Sequence, residues 1–404
     1  MQAIKEFSDH FIPKSGAVPF FSSILVWGIG AGCFTAVLNN YLAEVRGVDE
    51  FQRGLLEFFR EMPGLLLVFI LALMHKKAEW KILRIGTLIS LAGVAGLLLS
   101  ADKAVITLLI MIWSTGEHIL MPVRSTIAMH VAKAGRIGES LGVVTGAMNA
   151  GNVIGSATVA AIFFAGIGWF GIADKVVLYN IVWVLICLLL FASFLCTLFC
   201  KIDVKDVKRP RLYYNRKYGK FYVLELFYGA RKQIFITFAP YVLILNYGMD
   251  TTTMALLVGV CALVNIFCAP LIGKLTDRIG YRNIMIFDTV ILFFVCITYG
   301  YANRMFTYSV AYAVVCVNFL LDAVISTTAM ATSMYVRDIS DSAEEVTATL
   351  TTEISINHLI SILAALAGGW VWQKFGVGVL FSFSAVMALA NSAFAMLIPR
   401  KQET

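Results

Sequence analysis

Twelve apolar runs follow one another along this chain, each long enough to cross roughly 30 Å of hydrocarbon at about 20 residues per crossing. They cover approximately 18–44, 52–74, 80–100, 104–131, 138–167 and 175–200, then 221–247, 252–273, 281–301, 305–335, 345–372 and 376–398. Lipid offers no partner to an exposed backbone N–H or C=O, so such runs must close their hydrogen bonds within helices. Only 14% of the 404 residues are charged, against about 25% in soluble domains. The soluble class is excluded, and the expected fold is an all-α polytopic membrane protein with twelve transmembrane helices in two six-helix halves.

The longest polar break, "KIDVKDVKRPRLYYNRKYGK", divides the runs six and six. It predicts an N-terminal segment 1–17, a six-helix bundle 18–200, a basic linker 201–220, a second bundle 221–398 and a tail 399–404. Ile4, Phe7, Phe11 and Ile12 have helical spacing and fit a short interfacial helix. An even number of crossings puts both termini on one side, and the Lys/Arg bias says which. Lys76, Lys77, Lys81, Lys133, Arg136, Lys274, Arg278, Arg282, Arg337 and the linker fall on one side. Arg46, Arg53, Lys103, Lys175, Arg304 and Lys374 fall on the other. The expectation is a multi-pass protein of the cell inner (cytoplasmic) membrane with cytoplasmic termini. The net charge of +7 belongs largely to those loops, so no nucleic-acid partner is expected. The start has no short apolar region with a small-residue cleavage site, so no removable signal peptide is expected.

The chemistry-bearing patterns of enzymes are missing. The chain has no P-loop, nucleophile elbow or HExxH, and the eight cysteines fall in or beside apolar runs without metal spacing. No enzyme activity, cofactor or metal is expected, and transport driven by ATP on this chain is excluded.

What remains is charge placed where it is costly. A charge at bilayer depth costs roughly 2.5–3.5 kcal/mol by insertion measurements, so it is kept where it has a partner and a use. In "STGEHILMPVRST", Glu117 and Arg124 are two turns apart and share a helix face, while His118 is rotated by about 100°. Asn149 and Asn152 lie in the next run. In "FYVLELFYGARKQIFITFAPY", adjacent Arg231 and Lys232 cannot both face lipid, and Arg231 is the better clamp for carboxylate or phosphate because its guanidinium forks onto two oxygens. Tyr228 and Tyr241 sit in the same run. Asp322 lies in the tenth run, and Glu353, Asn357 and His358 in the eleventh. Glu57, Arg60 and Glu61 form an acid–base–acid patch at i, i+3, i+4, read as an extracellular gate or an interhelical ion pair.

Between the eighth and ninth runs stands "GKLTDRIGYR". It is similar to the loop signature G-x-L-x-D-R-x-G-x-R of the major facilitator superfamily, matching at Gly273, Leu275, Asp277, Arg278, Gly280 and Arg282. The resemblance implies two pseudo-symmetric six-helix halves that rock about a central site, with a latch in which Asp277 and the arginines pair and cap helix ends. The first half departs from the pattern, with "ALMHKKAEWK" in the matching place. "GAMNAGNVIGS" is a partial form of the drug-antiporter signature, with Asn152 where proline belongs. That lowers the case for a drug exporter.

Together these readings predict a monomeric secondary transporter moving a small polar, anionic or zwitterionic solute by alternating access and proton-coupled symport, with sodium as the other ion allowed. The substrate-binding set is Glu117, Arg124, Asn149, Asn152, Tyr228, Arg231, Lys232 and Asn357. The proton-coupling set is Glu117, Asp322, Glu353 and His358, and the gating set is Glu57, Arg60, Glu61, Gly273, Asp277, Arg278 and Arg282. A weak repeat superposes Glu117 on Asp322. The alternatives are a proton-coupled exporter of a drug or amphiphile, and a transporter-like sensor or scaffold that does not cycle.

Overall fold

The computed structural model describes residues 11–12, 16–74, 76–133, 135–200 and 214–399. Ile4 and Phe7 of the expected interfacial helix, most of the 201–220 linker and residues 400–404 lie outside them. Phe11 and Ile12 are not helical. Phe11 forms an isolated antiparallel bridge with Ala132 and packs its ring on Phe21 at 4.8 Å.

The helices are α1 (Ala17–Asn40), α2 (Glu50–Leu65), α3 (Leu67–Leu73), α4 (Glu79–Leu97), α5 (Lys103–Val131), α6 (Ile137–Gly168) and α7 (Lys175–Leu198), then α8 (Gly219–Tyr247), α9 (Thr251–Ile279), α10 (Tyr281–Met305), α11 (Tyr308–Ser326), α12 (Met330–Ile339), α13 (Ala343–Phe375) and α14 (Val377–Met396). Among the described residues, ten helical segments are long and apolar enough to cross a membrane. The other two expected crossings are present as helices but differ in character. The second breaks at Leu66 into α2 and α3, just past Pro63 and Gly64, a pair that weakens a helix. The seventh, α8, carries Glu225, Arg231 and Lys232 inside it. The tenth is also interrupted, by a 3-10 turn at Thr327–Ala329 between α11 and α12.

The chain divides into two compact units. The first contains residues 1–46, 66–208 and 250–263, and the second 47–65, 209–249 and 264–404. Helix α2 therefore belongs with α8 and α10 to α14.

In the first unit, α1 and α6 touch backbone to backbone. A β-carbon at Gly32 would stand 2.7 Å from Cα of Asn152, and one at Gly155 would stand 2.6 Å from N of Cys33. Only glycine permits that approach, which membrane helices use because lipid supplies no hydrophobic drive to hold them together. The "GAMNAGNVIGS" stretch is thus a packing face for α1. In the second unit, α2 lies against α13 in the same manner, with Gly369 against the backbone of Glu50 and Phe51. Short polar caps start several helices: Asp102 accepts from Val105 N at 2.9 Å, and Ser342 from Glu345 N at 3.1 Å. Each satisfies an N–H that the helix itself leaves open.

Candidate functional site

Helix α8 is the central helix of the second unit, buried along most of its length. Residues at successive steps of about 100° face different neighbours, so its polar side chains serve three groupings.

The first joins α2, α8 and α13. Glu57 is fully buried and accepts from Arg53 at 2.7 Å, Arg60 at 2.6 Å and Gln233 Nε2 at 2.9 Å. Arg60 also reaches Glu61 at 2.6 Å, and Glu61 meets His358 Nδ1 at 2.9 Å. Arg53 lies over the Tyr241 ring at 5.7 Å. The Glu57–Arg60–Glu61 patch is an interhelical network tying α2 to its neighbours, and Arg53, expected in an outer segment, lies inside it because α2 begins at Glu50. His358 is engaged here, one residue from Asn357 and on another face.

The second grouping surrounds Arg231, only 1% exposed. Its Nη1 is 3.5 Å from Asp322 Oδ1 on α11, and its guanidinium covers the Tyr228 ring at 4.8 Å. Nε and Nη2 are buried with no hydrogen-bond partner. Asp288 on α10 acts on the same guanidinium, accepts from Thr328 Oγ1 at 2.5 Å in the 3-10 turn, and leaves Oδ1 unpaired.

The third lies nearer the start of α8. Glu225 accepts from Asn357 Nδ2 at 2.8 Å, with Lys232 acting on it electrostatically. Glu353, one turn before Asn357 on α13, lies in the electrostatic field of Glu225 and Lys232.

In the first unit, Arg124 is buried with its guanidinium 3.9 Å from the Trp27 ring. Trp27 stacks on Trp113 at 5.4 Å, and Nη1 of Arg124 reaches Met148 Sδ at 3.5 Å. Glu117 acts on Arg124 electrostatically. His118 Nδ1 lies 2.8 Å from Ser114 O of its own helix, the position of a packed histidine. Asn149 and Asn152 are half-buried on α6, and among the described residues neither side chain has a hydrogen-bond partner.

The "GKLTDRIGYR" loop turns at Gly280, whose φ of 82° favours glycine. Arg282 donates to Met396 O at the end of α14 at 2.8 Å, as expected of a cation at a helix C-terminus. The expected pairing of Asp277 with the arginines is not formed: Asp277 and Arg278 are exposed, and among the described residues neither has an ion pair. Nearby, Lys217 bonds Asp341 at 2.7 Å, which holds its ammonium above the usual lysine range and ties the end of the linker to the α12–α13 turn.

Glu225, Gln233, Asp288, Arg53 and Trp27 were not expected at these sites. Asp288 had a signal, an acid inside the apolar "IMIFDTVILFF". Glu225 had a weaker one, seven residues before Lys232 and so on its face.

An all-α membrane protein with charged side chains buried on broken and polar crossings has the make-up of a multi-pass transporter. The profile of the Major Facilitator Superfamily matches residues 20–336 and 221–404. The chain belongs to that superfamily and is a transporter, not an enzyme. No curated protein matches it in sequence. Among solved structures it is similar to the nucleoside transporter NupG, with 13% identity, a TM-score of 0.76 and coverage of 95% of this chain and 98% of that one. A D-xylose-proton symporter gives 13%, 0.72, 96% and 99%. A bacterial homolog to the human lysosomal transporter Spinster, inward-facing and unoccupied, gives 14%, 0.66, 95% and 97%. At such identities the likeness establishes the fold alone.

Proposed function

We propose that this secondary transporter carries a small solute bearing a carboxylate or phosphate, by proton-coupled symport and alternating access, in the cytoplasmic membrane with both termini inside. The observation that carries this reading is Arg231, almost fully buried, with one long contact to Asp322 and two N–H groups unpaired. Leaving a buried donor unmade costs about 1–3 kcal/mol, more for a charged group. A forked oxyanion would satisfy both and gain charge-assisted bonds, while the Tyr228 ring beneath holds the guanidinium plane.

Charge counting supports the coupling. Among the described residues of the second and third groupings, four acids, Glu225, Asp288, Asp322 and Glu353, stand against two cations, Arg231 and Lys232. A solute anion that takes Arg231 from Asp322 leaves that carboxylate without its cation in a poorly solvated place, where binding a proton is the cheaper outcome. Solute and proton then travel together. The relatives named for nucleosides and D-xylose make neutral solutes the comparison to test.

The test is thermal-shift binding on purified protein against monocarboxylates, amino acids and sugar phosphates, with uridine and D-xylose as neutral comparators. Arg231→Lys keeps the charge and loses the fork, so it should weaken binding of the anion about tenfold or more, the equivalent of roughly 1.4 kcal/mol. Unchanged anion binding in that variant, or stabilisation by the neutral comparators alone, would refute the anion reading.

A further inference from the structure

Where α8, α10 and α13 end and α14 begins, their tips line a cavity of about 250 Å³, several times the roughly 30 Å³ that one water occupies in the liquid. It belongs wholly to the second unit, at the end that the Lys/Arg bias places outside, and none of the side chains gathered around Arg231 or Glu225 lines it. Helices α10 and α14 converge beside it: a β-carbon at Gly378 would stand 2.7 Å from Cε1 of Tyr301, and one at Gly300 would stand 3.2 Å from Cα of Gly378. Gly376, with a φ of 88° that favours glycine, turns the chain from α13 directly into α14.

Hydrogen bonding around this cavity is uneven. Carbonyls at the helix ends have donors: Ile244 O takes the N–H of Gly248 at 3.0 Å, Ala302 O that of Phe306 at 2.9 Å and Trp372 O that of Gly376 at 2.8 Å, while Tyr247 O takes the Tyr308 hydroxyl at 2.9 Å. Donors are left over. Gly376 has no side chain with which to cap α14, so among the described residues the N–H groups of Val377, Gly378 and Val379 lack a side-chain partner. Arg304, exposed at the end of α10, stands over the Tyr301 ring at 5.6 Å and has no ion pair among the described residues. Tyr247 is only 7% exposed and packs its ring on Tyr308 and Tyr312 at 5.7 and 5.8 Å, yet its hydroxyl has no hydrogen bond among the described residues. No acid is among the described lining residues.

We propose that this cavity binds a phosphate or carboxylate group, held by Arg304, the Tyr247 hydroxyl and the open N–H groups at the start of α14. A helix N-terminus presents N–H groups and the positive end of its dipole to an anion, and a guanidinium forks onto two oxygens. A buried hydroxyl without a partner is costly, and an oxyanion supplies one. The ends of crossing helices lie near the lipid headgroups, so the group arrives either on a free ion or on a lipid. Once bound, it ties the ends of α8, α10 and α14 together, apart from the Arg231 site.

The full-length protein in phosphatidylcholine nanodiscs is titrated with inorganic phosphate, against sodium chloride of matched ionic strength. Melting temperature is read alongside hydrogen–deuterium exchange of the first turn of α14. Phosphate should raise the melt and slow exchange there. Arg304→Gln should weaken the effect about tenfold or more, the size of a lost charge-assisted contact. Arg304→Lys and Tyr247→Phe should weaken it by less, and Arg231→Lys should leave it unchanged, which keeps failure here separable from failure of the solute reading. If the source is lipid, discs containing phosphatidylglycerol should give the same protection without added phosphate, again lost in Arg304→Gln. Wild-type and Arg304→Gln proteins that respond alike to both phosphate and phosphatidylglycerol, or a protection that only Arg231→Lys removes, would overturn the proposal.

Discussion

Replacing Glu57 with glutamine keeps the shape of the side chain and removes the charge at the centre of the α2–α8–α13 network. The carboxylate accepts from Arg53, Arg60 and Gln233 at 2.6 to 2.9 Å. A glutamine offers one carbonyl oxygen to those three donors and turns its own NH₂ toward a guanidinium. Arg60 keeps Glu61 at 2.6 Å, so the loss falls mainly on Arg53, whose side chain is 3% exposed. Breaking a buried pair from one side costs about 3–5 kcal/mol, and Glu57→Gln should lose that much in denaturant-titrated unfolding of the purified protein. Arg53→Met in the same background removes the stranded cation, so the double variant should recover part of the loss, with a coupling of about 1–3 kcal/mol. A Glu57→Gln protein within about 0.5 kcal/mol of wild type, the range of an ordinary surface change, would mean that the network does not hold α2 in place.

Gly155→Leu should destabilise the first unit by about 1–3 kcal/mol or more, the usual range for overpacking, because its β-carbon would meet the backbone of α1; thermal melting in detergent reads this, and an unchanged melt would contradict the close approach. Trp27→Leu should weaken the protein through the lost ring under Arg124, worth about 0.5–2 kcal/mol beyond packing, and Arg124→Met combined with it should cost less than the sum of the two. Additive losses would show that the cation and ring act independently.

The crossings were legible because lipid leaves few alternatives to an apolar helix of sufficient length, and even α8, with Glu225, Arg231 and Lys232 inside it, read as an apolar run over 221–247. Arg231, Lys232, Asp322, Glu353 and Asn357 were legible as charges and amides out of place. Their partners were not. Gln233 meets Glu57 across 176 positions of sequence, and nothing local marks either for the other. The place of α2 in the second unit depends on Gly369 and on a buried ion network, which look like isolated residues until the helices are packed. His358 was readable as a titratable group in a membrane helix, yet its engagement with Glu61 depends on the direction of one face of α13. The loop signature predicted its own turn at Gly280 correctly, whereas the pairing of Asp277 depends on neighbours that the motif does not contain.

The central claim is that solute binding at Arg231 and proton binding at Asp322 are one linked event. Proteoliposomes containing wild type or Asp322→Asn are tested with the carboxylate or sugar phosphate that most stabilises the purified protein, once under an inward proton gradient and once in exchange with no gradient. The wild type should accumulate the solute above its external concentration and lose that accumulation with a protonophore, while Asp322→Asn should exchange the solute but not concentrate it. Gradient-driven accumulation that survives in Asp322→Asn, or a wild type that moves none of the solutes it binds, would contradict the account.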